Sequence, residues 1–162
     1  MNPSIELRLR TMVRAMNEII IPAVDGGDSL AQEQARLLLG HLHVLIQHEG
    51  REQAMCEIER SDLQRLASAL VEASSGGSAT AAATARVQNL PDDVDTDGLS
   101  HAIEALIIDS GSDGSEAFKR ACDTLVIAHG RAATRRSRTW FKSMGFDHDP
   151  DALGDIDSLF RR

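Results

Sequence analysis

Counted at 100° per residue, Ile5, Leu9, Met12, Val13, Met16, Ile19 and Ile20 fall within one arc of about 120°, which predicts an amphipathic helix. Pro3 suits its first turn, while Pro22 and the Asp25-Gly26-Gly27-Asp28 cluster predict its end and a turn. A second helix is predicted from about Ser29 to His48, capped by Asp28 or Ser29. Its apolar residues, from Leu30 through Leu37, Leu38, Leu42, Val44 and Leu45 to Ile46, spread over about 200°, a width suited to the centre of a bundle. Gly50 allows a bend, and Met55 and Ile58 continue a helical pattern up to Ser61-Asp62-Leu63-Gln64. That tetrapeptide matches a capping box and predicts a break near Arg60. The next helix carries Leu63, Leu66, Ala69, Leu70 and Ala73 and stops at Ser74-Ser75-Gly76-Gly77, which marks a sub-boundary at 74–78.

Residues 78–89 are rich in Ala and Thr, with Val87 and Leu90 as the sizeable anchors, and predict a short, weakly held helix. An acidic loop from Pro91 to Gly98 leads into a helix with Leu99, Ala102, Ile103, Leu106 and Ile107 on one face, then a flexible turn over Asp109 to Gly114. The last helix is expected from Ser115 to about Met144, with the stripe Phe118, Cys122, Leu125, Val126, Ala132, Ala133, Trp140 and Met144. At 1.5 Å per residue it approaches about 45 Å, longer than one compact bundle usually needs, so part of it is expected to meet another chain or the tail. Residues 147–162 hold five Asp and read as a mobile acidic tail with one apolar docking turn at Ile156, Leu159 and Phe160. No stretch alternates with period two for long enough to be a strand. The expectation is an all-α fold, an antiparallel bundle of about five or six helices over 1–146 followed by the tail.

Length and composition agree with that picture. At 162 residues, 42% hydrophobic and 26% charged, the chain can bury a real core without staples, and it does not have the composition of a disordered segment. Cys56 and Cys122 are too few and too far apart for a disulfide framework or a Cys-based zinc site, and read as reduced, buried thiols. The N-terminus, with Glu6 among Arg8 and Arg10, lacks an uninterrupted apolar segment, and no run approaches the ~20 residues of a membrane span. A soluble, cytoplasmic protein of bacterial type is expected. The net charge of -8 argues against general nucleic-acid binding, since phosphate contacts need a basic surface.

The sharpest motif is Asp93-Val94-Asp95-Thr96-Asp97-Gly98 with Glu104, which resembles the twelve-residue calcium loop of EF-hands. The resemblance implies carboxylate ligands from Asp93, Asp95, Asp97 and Glu104, a carbonyl ligand from Leu99, and the turn at Gly98. Ser100 stands where EF-hands place an aliphatic residue, Pro91 interrupts the incoming helix, and no second loop pairs with this one. The preferred reading is an acidic loop whose Asp97 caps the following helix, with no metal or other cofactor.

His41 and His48, seven apart, sit at the edge of the second helix's apolar face beside Gln34. The Glu-x-x-His spacing of helical di-metal sites is absent, so hydrogen-bonded core or interface histidines are expected. His43 faces the polar side with Arg36 and Gln47 and reads as solvated. In the last helix, His129 and Arg136 interrupt the apolar stripe, and a buried guanidinium there requires an anionic partner. Arg131, Arg135, Arg136, Arg138 and Lys142 place five positive charges beside Trp140 and Phe141. They form either an anion site for a phosphate-bearing ligand or a pairing surface for the acidic tail.

No phosphate loop, nucleophile elbow or dinucleotide fingerprint is present in the sequence. The Ile5-Glu6-Leu7-Arg8 start, the Ile21-Pro22-Ala23 hinge and the Leu30-Ala31-Gln32-Glu33-Gln34-Ala35 helix opening resemble small helical bacterial proteins of unknown function, encoded beside aminoglycoside-phosphotransferase-like kinases and acyl-CoA dehydrogenases. The resemblance reaches to about Ser75, implies a cytosolic helical protein, and assigns no catalytic residue. The leading expectation is therefore a non-catalytic helical accessory or interaction module that forms a homodimer and serves a metabolic enzyme, supported by the small residues Ala128, Gly130, Ala132 and Ala133. The competing one is a helical-bundle enzyme or carrier that uses His41, His48, His129, Arg136 and Trp140 around a small anionic or acyl ligand.

Overall fold

A computed structural model describes residues 2–161, and the fold is all-α. The helices are α1 (Ile5–Ala15), α2 (Ile21–Ala23), α3 (Ser29–His48), α4 (Glu52–Ala73), α5 (Ser78–Gln88), α6 (Thr96–Asp113) and α7 (Glu116–Trp140). Short 3-10 turns follow at Lys142–Met144, Pro150–Ala152 and Ile156–Leu159. Among the described residues no helix is long and apolar enough to cross a membrane. The chain divides into two compact units, Met1–Ala54 with Arg135–Arg162, and Met55–Thr134.

The second unit holds the larger core. Leu66, Ala67 and Leu70 of α4, Ala83 and Val87 of α5, Leu99, Ile103 and Leu106 of α6, and Phe118 and Cys122 of α7 pack into one buried cluster. The predicted break near Arg60 does not occur, because Met55, Ile58, Leu66 and Leu70 form one stripe that carries α4 straight through it. Ser61, expected as a cap, instead accepts a hydrogen bond from Arg65 one turn along. Cys122 is buried, and burial pushes its thiol pKa up; Cys56, expected inside, is exposed.

Helix α6 also outlasts its prediction. Ser110 and Ser112, read as turn residues, donate their hydroxyls to the carbonyls of Ile107 and Asp109, and the helix continues to Asp113. There the Asp113 carboxylate accepts from the backbone N–H of Ala79 (2.8 Å) and Thr80 (3.0 Å) and from the Thr80 hydroxyl (2.6 Å). The end of one helix thus caps the start of another. This holds α5 firmly, in contrast to the weak helix its composition predicts, and buries Thr80, Ala83, Thr84 and Val87. The segment Ser74–Gly77 lies inside this unit as part of the same joint. Gly77 N–H donates to the Asp113 carbonyl, Ser115 N–H to the Ser75 carbonyl, and the two hydroxyls of Ser75 and Ser115 meet at 2.7 Å. A Cβ on Gly76 would lie 2.7 Å from the Asp113 carbonyl oxygen, so only glycine admits this approach.

In the first unit, Ser4 caps α1 by accepting from Leu7 N–H, and Asp28 caps α3 by accepting from Ala31 N–H. A π-helical turn at Met16–Ile20 joins α1 to α2, which contains Pro22 and ends at Ala23, just before the Asp25–Asp28 turn, as the sequence predicted. The widened turn just before Pro22 relieves the clash between the ring and the carbonyl four residues back. A short turn then returns α3 along α1. Gly50 (φ 75°) ends the link from α3 to α4, and Gly145 (φ 79°) ends the turn after α7; both take the left-handed conformation that glycine adopts without strain.

The hydrogen bonds from the Thr80 hydroxyl and the two N–H groups hold the Asp113 carboxyl below the usual carboxylate range. The stabilisation is therefore present above the unfolded-state value of about 3.9 and is lost as pH falls through the lower folded value. Asp113→Ala should lower the thermal midpoint at neutral pH, with the gap to the parent protein closing in acid. A gap that persists undiminished well below the folded-state value would contradict this assignment.

Candidate functional site

The first unit is closed around His48, the last residue of α3, which is 7% exposed. Its ring stacks on Trp140 with centroids 3.7 Å apart and planes 13° from parallel, and Phe141 meets it edge-on at 5.4 Å. Its Nε2 lies 2.8 Å from the Trp140 carbonyl oxygen. A carbonyl only accepts, so Nε2 carries the hydrogen. That carbonyl belongs to the last turn of α7, where helix carbonyls lose their intrahelical partners, so His48 caps the helix whose final ring it covers. This accounts for α7 ending at Trp140 and not near Met144: the Met144 N–H bonds to Phe141, leaving the Trp140 carbonyl to His48.

The tail completes the cover. Phe160 packs edge-on to Trp140 at 6.3 Å, and Leu153 is buried. Arg138 binds Asp147 through two parallel 2.8 Å hydrogen bonds, and Lys142 donates to the Leu153 carbonyl at 3.0 Å. The Arg138 guanidinium, with help from the Asp149 backbone N–H, holds the Asp147 carboxyl well below the usual range. Arg51, outside the basic segment, also takes a tail carboxylate, Asp157 at 2.7 Å. Between the two readings of the basic segment, pairing with the tail is thus realised at Arg138.

The sequence-derived site residues come together only in part. His48 and Trp140 are in contact, but the pair is consumed by packing and capping. His41 is exposed on α3, His129 and Arg136 are half-buried in α7, and His129 belongs to the second unit while Arg136 belongs to the first. No group of three His, Cys, Asp or Glu among the described residues is arranged to hold a metal ion. The acidic motif is folded as a helix start. Asp95, and not Asp97, is the cap, accepting from Gly98 N–H at 2.7 Å, while Asp93, Asp97 and Glu104 are exposed.

Two further features lie on the α1–α3 hairpin. At 100° per residue, Leu30, Gln34, Leu38, His41 and Leu45 fall within about 80° of one another between the two packed faces of α3. All five are exposed, and we call them the seam. Because α1 runs antiparallel to α3, the flank formed by its Ile5 and Met12 and by Ile19 and Ile20 of the π-helical turn lies on the same side. The other side of the hairpin carries a cavity of about 500 Å3 lined by Arg10, Arg14, Asn17, His43, Gln47 and Ser143, with none of His41, His48, His129, Arg136 or Trp140 among its walls. The i, i+4 spacings Arg10/Arg14 and His43/Gln47 are the sequence signal for it, hidden because each pair alone reads as a solvated helix face.

No family model matches the chain, and no curated protein or solved structure matches it either.

Two measurements check the aromatic joint. His48→Ala should cost about 2–4 kcal/mol, from an uncapped buried carbonyl and a lost ring stack, and His48→Phe should recover only the stacking part. Deleting residues 147–162 removes Phe160 from Trp140, so tryptophan emission should shift to the red. Unchanged emission in the truncated chain would mean that the tail does not cover the ring in solution.

Proposed function

We propose that the chain is a self-associating helical interaction module, an accessory and not a catalyst, and that it forms a homodimer through the seam side of the α1–α3 hairpin. The observation that carries this reading is the exposure of Leu30, Leu38 and Leu45 on α3, of Ile5 and Met12 on α1, and of Ile19 and Ile20 on the π-helical turn that follows it, each 45–66% exposed. Scattered apolar residues on a surface need no explanation, but seven on one side of a hairpin make a patch. These side chains present on the order of 700 Å2 per protomer, close to the ~800 Å2 that each partner buries in a stable interface of standard size. A second copy is the occupant that brings a surface of equal area and matching pattern, since a twofold axis pairs the patch with itself. Gln34 and His41, polar among leucines, set the register of such a pairing, as isolated polar residues do in helical seams.

Support for self-association thus rests on α1 and α3, and not on the long last helix from which the sequence reading expected it. In α7, Phe118, Cys122 and Trp140 are buried, and Val126 and Ile127 are the exposed large apolar residues. The accessory role beside a metabolic enzyme and the cytoplasmic setting belong to this same reading, on the strength of the resemblance in the N-terminal helices.

Sedimentation equilibrium at micromolar concentration should return twice the chain mass of 17.6 kDa. Leu38→Glu combined with Leu45→Glu should return the monomer mass with helical content retained, because both residues are exposed within the protomer. A parent protein that sediments as a monomer throughout, or a double variant that stays dimeric, would overturn the reading.

A further inference from the structure

We propose that the cavity on the opposite side of the hairpin is a binding site for a phosphate monoester, a small organic molecule bearing one terminal phosphate. Arg10 and Arg14 stand one helical turn apart on α1 and face His43 and Gln47, one turn apart on α3. Asn17 and Ser143 add an amide and a hydroxyl. This set offers more donors than a carboxylate's two oxygens accept, and it suits the three terminal oxygens of a phosphate, for which guanidinium forks have the matching geometry.

Two further observations point to a ligand. The Ser143 hydroxyl oxygen is buried and has no hydrogen-bond partner among the described residues. Such a group is costly to leave unmade, and because it is closed to solvent a bound oxygen satisfies it only when the hydroxyl and its surroundings turn towards the cavity. The volume of about 500 Å3 is that of a small-molecule site and far exceeds what inorganic phosphate fills. Val13 and Ile46 in the same wall offer apolar contact to the remainder of the molecule.

The carboxylates paired with these arginines are Glu6 and Glu18. Arg10 binds Glu6 with Nε at 2.8 Å, and Arg14 binds Glu18 with Nε at 2.9 Å. Both are exposed i, i+4 pairs, with the glutamates 52% and 58% exposed, so they hold the guanidinium groups in place yet yield readily to a dianion. Glu18 also lines the cavity and competes directly for Arg14.

Calorimetric titration of the full chain with inorganic phosphate, up to tens of millimolar, and with glucose 6-phosphate tests the site. Saturable binding at one site per chain is expected for both, tighter for the ester. Arg10→Gln and Arg14→Gln should each weaken it about tenfold or more, as for loss of a charge-assisted hydrogen bond. Glu18→Gln should strengthen it. Ser143→Ala should weaken binding while leaving the thermal midpoint unchanged or raised, a combination that a merely structural hydroxyl would not give. The remote Arg131→Gln should bind like the parent. The Leu38→Glu, Leu45→Glu variant should also bind normally, which separates this site from the dimer. Absence of saturable binding with both probes would overturn the proposal, as would equal loss in Arg131→Gln or capture only by vesicles containing phosphatidic acid.

Discussion

The bond from His48 to the carbonyl of Trp140 joins residues 92 apart and carries the architecture of the first unit. It satisfies a helix-terminal acceptor in a buried place, where an unpaired carbonyl would be costly, and it fixes the imidazole as its Nε2–H tautomer. The same ring lies flat on Trp140, so one side chain supplies both the polar and the apolar closure of α7. Everything that follows in the chain is placed by where that helix stops. The Lys142–Met144 turn seats against α3 beside Gly40, and Phe160 then meets the indole edge-on.

Asp113 plays the corresponding part in the second unit, through charge and hydrogen bonding in place of stacking. One carboxylate meets three donors at the start of α5; Gly76 lets the two backbones come close, and Gly77 leaves room for the carboxylate itself. The apolar cluster around Leu70, Leu106 and Phe118, none of them measurably exposed, supplies the nonspecific part of the stability. The joint decides which ends meet. In both units, then, a long-range contact at a helix terminus selects one arrangement of helices that periodicity alone would allow to pack in several ways.

Helix class and most helix starts were legible in the sequence because they depend on local signals. Asp28, Ser115 and the 3.6-residue stripes are of that kind, and α3 spans the residues its pattern predicts. The misreadings have a common cause, which is that composition around Ser, Gly and Asp reports local preference while tertiary partners decide the outcome. Ser61 and Ser110 look like helix ends but sit in helices whose apolar stripes continue past them. Asp113 looks like a turn residue because the N–H groups it caps lie more than thirty positions earlier. Of the site residues, His48 and Trp140 stand out in the sequence, yet their partnership needs the fold. Arg10, Arg14, His43 and Ser143 carry no such signal, because no pattern along one helix reveals that two polar faces enclose a common space.

The first unit is built from two stretches of chain with the whole of the second between them. Synthesis is vectorial, so the contiguous stretch from Met55 to Thr134 emerges together and has Leu70, Leu106 and Phe118 at hand before translation is over. Trp140, Leu153 and Phe160 arrive afterwards. During that interval α3 has its inner face open as well as its seam, and His48 has nothing to cap. A chain made only as far as Thr134 therefore holds every residue of the second unit and an open first one.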